Sequence, residues 1–181
     1  SVRVDASVYK SLIANRRLIE AAGGTVIIAA NSAAQLMASV IKNSGRISTT
    51  SMVSNGGCIE IVAGTVKNSG TLEANANGAS GDAGRVAVSG DVIKLTSKSN
   101  IQANAKQAGN GGKIVLMSNQ STTVAGSLSA QGGSSTGNGG FIETSSHGKL
   151  TISPDVKVST TAPAGKVGTW LLDPYDLTID A

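Results

Sequence analysis

The residues richest in chemistry fall together in one run, NGGFIETSSHGK, from Asn138 to Lys149. It holds the chain's only histidine (His147), its only phenylalanine (Phe141), Glu143, and the hydroxyls of Ser145 and Ser146. A serine–histidine pair oriented by a carboxylate performs acyl transfer, and an imidazole among other soft donors binds zinc. This run specifies neither. Triads are assembled from segments distant in sequence, so adjacency of Ser145, Ser146 and His147 does not build one. Without a second histidine or a cysteine pair, His147 is a poor metal ligand candidate. Cys58 stands alone, which excludes an intramolecular disulfide and reads as a free thiol or a small packing residue.

The carboxylates are no more convergent. Glu60 and Glu143 each lie three residues after a glycine mark, and so share one column of the repeat described below. At three repeats apart they would stand roughly 14 Å from each other, too far for the paired carboxylates of a glycosidase. Asp173, Asp176 and Asp180 are the densest acidic group, but the Gly/Asp nonapeptide of calcium-binding β-rolls is missing. Gly165-Lys166 is followed by Val167, where a phosphate loop requires Ser or Thr. Asn119 opens a formal glycosylation sequon, NQS, a pattern common by chance. The sequence therefore assigns no catalytic, cofactor-binding or metal-ligating residue, and the chain reads as a non-enzyme.

Composition points the same way. The 181 residues include 23 glycines and only four aromatics, Tyr9, Phe141, Trp170 and Tyr175. A core of small and β-branched side chains gains little per residue, so it needs an architecture that buries many of them equivalently. The net charge of +4 is dispersed, with one obvious basic pair, Arg16-Arg17, and no aromatics interleaved with basic residues. That is a weak footprint for nucleic acid. No apolar run approaches the length of a membrane-spanning helix. No signal peptide is visible, and a chain that begins at Ser1 without Met is expected to be processed or excised.

The elements that must hold these residues repeat. Glycine marks recur at Gly24, Gly57, Gly84, Gly112, Gly140 and Gly168, with all but the first interval 27 or 28 residues. A fixed period of that length marks a solenoid. Two residues after each mark comes Val26, Ile59, Val86, Ile114, Ile142 or Trp170. Two further on comes Ile28, Ile61, Val88, Leu116, Thr144 or Leu172. This is strand alternation. Later echoes, Leu72-x-Ala74, Ile101-x-Ala103 and Leu128-x-Ala130, read as a second strand, and DVIKL (91–95) and KLTIS (149–153) as a further one. The phrases NSGRIST (43–49) and NSGTLEA (68–74) match, and NRRLIEA (15–21) carries a rung upstream of the first mark. Like residues recurring once per turn predict an all-β parallel β-helix of about six rungs, roughly 30 Å long, over residues 1–181 as one domain. Glycine is expected at the corners, where the chain turns through restricted conformations. The long first interval contains NSAAQLMASVIKN (31–43), which predicts a short helical insertion near 32–41, capped by Asn31 or Ser32.

The phrases LIEAAGGTVIIAA, GGFIETSSHGKLTI and GTWLLDPYDLTID resemble the filamentous-haemagglutinin-like exoproteins of Gram-negative bacteria, the large adhesins of two-partner secretion. Gly139–Ser145 and Gly168–Ile179 carry the likeness, with Ser146 in place of the usual glycine. The resemblance implies a right-handed β-helix, secreted or at the cell surface. It also implies adhesion or contact with glycans or proteins of host or neighbouring cells, without catalysis. The family's amino-terminal N-P-N-G-type secretion motifs have no counterpart, so the chain is expected to be a fragment, a processed piece or a shorter relative. A second reading is a subunit that stacks end to end into an extracellular filament, since a β-helix leaves unpaired backbone at its terminal rungs. A polysaccharide-acting enzyme is the third, and it lacks its carboxylate cluster.

Overall fold

In a computed structural model, residues 1–6, 12–30 and 39–179 are described. They form fifteen strands and no helix: β1 (Val2–Ala6), β2 (Leu12–Asn15), β3 (Leu18–Glu20), β4 (Thr25–Ala30), β5 (Val40–Asn43), β6 (Arg46–Ser48), β7 (Cys58–Asn68), β8 (Thr71–Glu73), β9 (Arg85–Leu95), β10 (Asn100–Gln102), β11 (Lys113–Val124), β12 (Ser127–Ser129), β13 (Phe141–Ile152), β14 (Lys157–Ser159) and β15 (Thr169–Ile179). Every pairing is parallel. The order β1-β4-β7-β9-β11-β13-β15 makes one sheet, β3-β6-β8-β10-β12-β14 the other, and β2 joins the first through β5. This is a parallel β-solenoid of about six turns.

Each turn has a first arm, a second arm, a short strand of the smaller sheet and a closing loop. From β7 onward the two arms are one long strand, so DVIKL and KLTIS are second arms of β9 and β13 rather than separate strands. The alternation changes phase between the arms: Val86 and Val88 point inward in the first, Ile93 and Leu95 in the second. The register slips at that corner, between Ser118 and Ser121 against β9, and again between Ser146 and Lys149 against β15. In the second turn, the arms β4 and β5 remain separate and residues 31–38 lie between them. The expected helix falls largely on those residues, outside the described ones. Its end is corrected, since Val40 and Ile41 are strand, bonded in ladder to Thr65 and Val66.

The core consists of columns. Ile47, Leu72, Ile101 and Leu128 stack rung on rung, as do Val26, Ile59, Val86, Ile114 and Ile142, and all are buried. The columns meet in one buried hydrophobic cluster. A column is not always apolar. Asn15 Nδ2 donates to Asn43 Oδ1 (2.9 Å), Asn43 Nδ2 to Asn68 Oδ1 (2.7 Å), and Asn68 Nδ2 to Ser99 Oγ (2.6 Å) and the Gly70 carbonyl (3.0 Å). From the next turn this column becomes Leu95, Val124 and Ile152. An amide ladder satisfies its buried donors by repetition, where an isolated buried amide would be costly.

The glycine marks have a different cause from the expected one. Gly112 has no left-handed backbone; a Cβ there would sit 2.0 Å from the Gly84 carbonyl oxygen of the preceding turn. Its N–H closes the loop onto the Ala103 carbonyl (2.9 Å). Positive φ occurs earlier in the loop, as at Gly109 (149°).

Asn68→Ala removes the partner of Asn43 and of Ser99, and should lower unfolding free energy by about 1–3 kcal/mol in urea titration. Asn68→Leu, the residue type of the next rung, should cost less than the alanine. No loss with either variant would exclude the satisfied ladder as a source of stability.

Candidate functional site

The run Asn138–Lys149 is divided by its strand. Phe141 and Glu143 face outward and Ile142 inward on Ile114, in line with the alternation. His147 lies within β13 at the slipped corner, not in a loop after it, and is exposed. Ser146 is buried, 2.9 Å from Ser118 Oγ, and accepts from the Gly148 N–H (3.1 Å). Ser145 is buried and donates to Glu143 (3.0 Å). His147, Asp173 and Ser146 border one shallow hollow of about 280 Å³, yet no hydrogen bond links the imidazole to either partner. The serine hydroxyl is turned into the wall and committed there. This geometry holds no nucleophile–base pair.

Glu60 and Glu143 share a column through Ala87 and Val115, three turns apart as expected. Asp173 and Asp176 are exposed on β15, and Asp180 lies outside the described residues. No group of three or more metal-ligand side chains converges among the described residues. Asn119 sits at the slipped corner of β11, its amide donating to Asp91 (2.9 Å). The Lys166 N–H donates to Asn138 Oδ1 (2.9 Å).

A concavity of about 870 Å³ is an open groove along the axis, floored by the glycine marks. Its wall is the column Thr25, Cys58, Arg85, Lys113, Phe141 and Thr169. Lys113 Nζ lies 5.2 Å from the centre of the Phe141 ring, a cation–π contact. The opposite rim carries a chain of side-chain acceptors. Asn55 Oδ1 accepts from the Asp82 N–H (2.9 Å), Asp82 from Asn110 (2.6 Å), and Asn110 from Asn138 (2.9 Å). Burial raises the Cys58 pKa; Arg85 opposes that rise and Glu60 adds to it. The groove can accept an extended ligand by hydrogen bonds and charge, but it has no activated nucleophile.

Sequence reasoning did not single out Glu73. It is buried beside the Arg46 guanidinium, whose Nε (2.8 Å) and Nη2 both donate to it, with Ser48 Oγ at 2.8 Å and Thr50 Oγ1 at 3.3 Å. Four donors account for this carboxylate structurally. Its only signal was an acid where alternation places the edge of the smaller sheet.

The chain matches no family profile, no curated protein and no solved structure. No helix among the described residues is long and apolar enough to cross a membrane.

Cys58 should alkylate more slowly than free cysteine at neutral pH, because the thiolate is the reactive form. Arg85→Gln removes a charge that favours the thiolate and should slow the reaction further; Glu60→Gln should speed it. Followed by mass spectrometry, the opposite order would show that those charges do not act on the thiol.

Proposed function

We propose that the chain is a structural, non-catalytic segment of a secreted cell-surface adhesin of a Gram-negative bacterium, wound as a right-handed β-helix. Its partners are glycans or proteins of host or neighbouring cells. The observation that carries this reading is the placement of the two phrases that resemble the filamentous-haemagglutinin-like exoproteins. They are consecutive rungs, β13 and β15, paired from Phe141 on Thr169 to Ile152 on Ile179 with one slip at the corner. Trp170 Nε1 donates to Thr144 Oγ1 (3.0 Å), so a side chain of one phrase bonds the other. Such a scaffold holds loops and grooves at fixed spacing on a rigid rod, a suitable form for surface contact.

A specific observation favours a second reading, end-to-end stacking. Among the described residues strand β15 pairs on one edge only, and its Leu171, Tyr175, Leu177 and Ile179 are exposed, Tyr175 by 84%. Pro174 sits at the slipped corner, where an edge strand tolerates it.

Beads coated with the purified chain should adhere to epithelial or bacterial cells more than beads coated with an unrelated soluble protein; equal adherence would count against the adhesin reading. Electron microscopy at high concentration tests stacking. Fibres many times the roughly 30 Å length of one chain are expected from stacking, and dispersed short rods alone would sink it.

A further inference from the structure

The second arms carry a ladder of like charge. Lys42, Lys67 and Lys94 occupy one outward column in three consecutive turns, and all are exposed. The turns are about 4.8 Å apart, so the three ammonium groups stem from points spanning about 10 Å along the axis. None makes an ion pair or hydrogen bond with a described residue. The neighbouring outward column beside them is Val40, Thr65 and Val92, without a carboxylate. Like charges directly opposite across a ladder destabilise it, and nothing on this face offsets that cost.

The column continues as Thr123, Thr151 and Thr178, so three cations are followed by three hydroxyls in one straight line. Arg16 joins Lys42 and Lys67 in lining a groove of about 380 Å³ on the same flank. That groove is otherwise walled by neutral residues, among them Asn15, Ser44, Ser69 and Thr96, with two exposed apolar side chains, Leu12 and the small Ala14.

We propose that this ladder and groove bind a linear polysaccharide bearing closely spaced anionic groups: sulfate, phosphate or carboxylate. A cation fixed at each turn meets a ligand whose charges repeat along its length, and the hydroxyls and amides match sugar hydroxyls. Single-stranded nucleic acid is bound on aromatic platforms, and the described part of this face has none. An anionic membrane recruits basic residues together with inserting apolar ones, and Leu12 with only the methyl of Ala14 beside it is a poor anchor. The larger glycine-floored groove differs, since Asp82 lines it together with Arg85 and Lys113. Polyanion binding belongs to the purified chain, and stands apart from whether the chain serves cell contact.

The test is binding to dextran sulfate across a salt series, with neutral dextran as control. The intact chain should bind the sulfated polymer alone. The triple variant K42Q/K67Q/K94Q should weaken it roughly tenfold or more and flatten the log K against log salt slope by about two to three. A variant of equal charge change elsewhere, K106Q/K157Q/K166Q, should retain most of the affinity. Equal losses in the two variants, or no binding by the intact chain, would overturn the proposal. So would tighter binding, lost in the ladder variant, to single-stranded DNA or to vesicles rich in phosphatidylserine. A second measurement does not need the ligand. In low salt Lys67→Gln should raise the melting temperature by about 1–4 °C, with the gain disappearing in high salt. An unchanged melting temperature would remove the argument that the ladder is kept at a cost.

Discussion

The structure depends on the parallel hydrogen-bond ladder that places each turn about one strand spacing above the last. Once that ladder forms, every position of a turn lies over its equivalents, and side chains of one type stack on their own kind. The aliphatic columns exploit this, because Ile59, Val86, Ile114 and Ile142 lie directly over one another. The same constraint tolerates polarity in the interior. Asn15, Asn43 and Asn68 satisfy one another along the axis, and the column turns apolar as soon as the donor chain has ended on Ser99.

Close stacking also sets what a turn cannot contain. At Gly112 the neighbouring turn's carbonyl occupies the place of a side chain, and the same holds at Gly84, Gly140 and Gly168. The glycines therefore mark where backbones meet, and the groove they floor is a by-product of that approach. Insertions are confined to corners: residues 31–38 fall between β4 and β5, both of which still pair with β7. A strand ladder can lose continuity at a corner without losing its register on either side.

On the outside, stacking concentrates whatever each turn carries. Three lysines become a line of charge, and a set of asparagines and an aspartate becomes a rim of acceptors. Outward side chains on such a scaffold line up in columns and grooves that run across turns. The serines beside His147 are structural: one braces Glu143, and the other closes a buried hydroxyl contact with Ser118.

Much of this was legible in the sequence. Period and alternation alone identified the inward residues of the first arms and of the smaller sheet, because one-dimensional repetition maps directly onto stacking. The column shared by Glu60 and Glu143 followed from the same count. Other features depend on how the arms join. That β9, β11 and β13 run unbroken through a slipped corner places His147 in a strand, and a phase change of one residue has no composition signature. Helical spacing in 31–43 suggested a helix extending to Ile41, but tertiary pairing claims Val40 and Ile41 for a strand. The lysine ladder shows the limit best. Its members precede the asparagines of the matching phrases at IKN and VKN, and Leu95 in the asparagine's place at IKL, yet their intervals of 25 and 27 residues obscure the column. Sequence determined that turns repeat and which face is buried; only the folded register decided which charges stand in line, because the number of residues in each loop is absorbed at the corners.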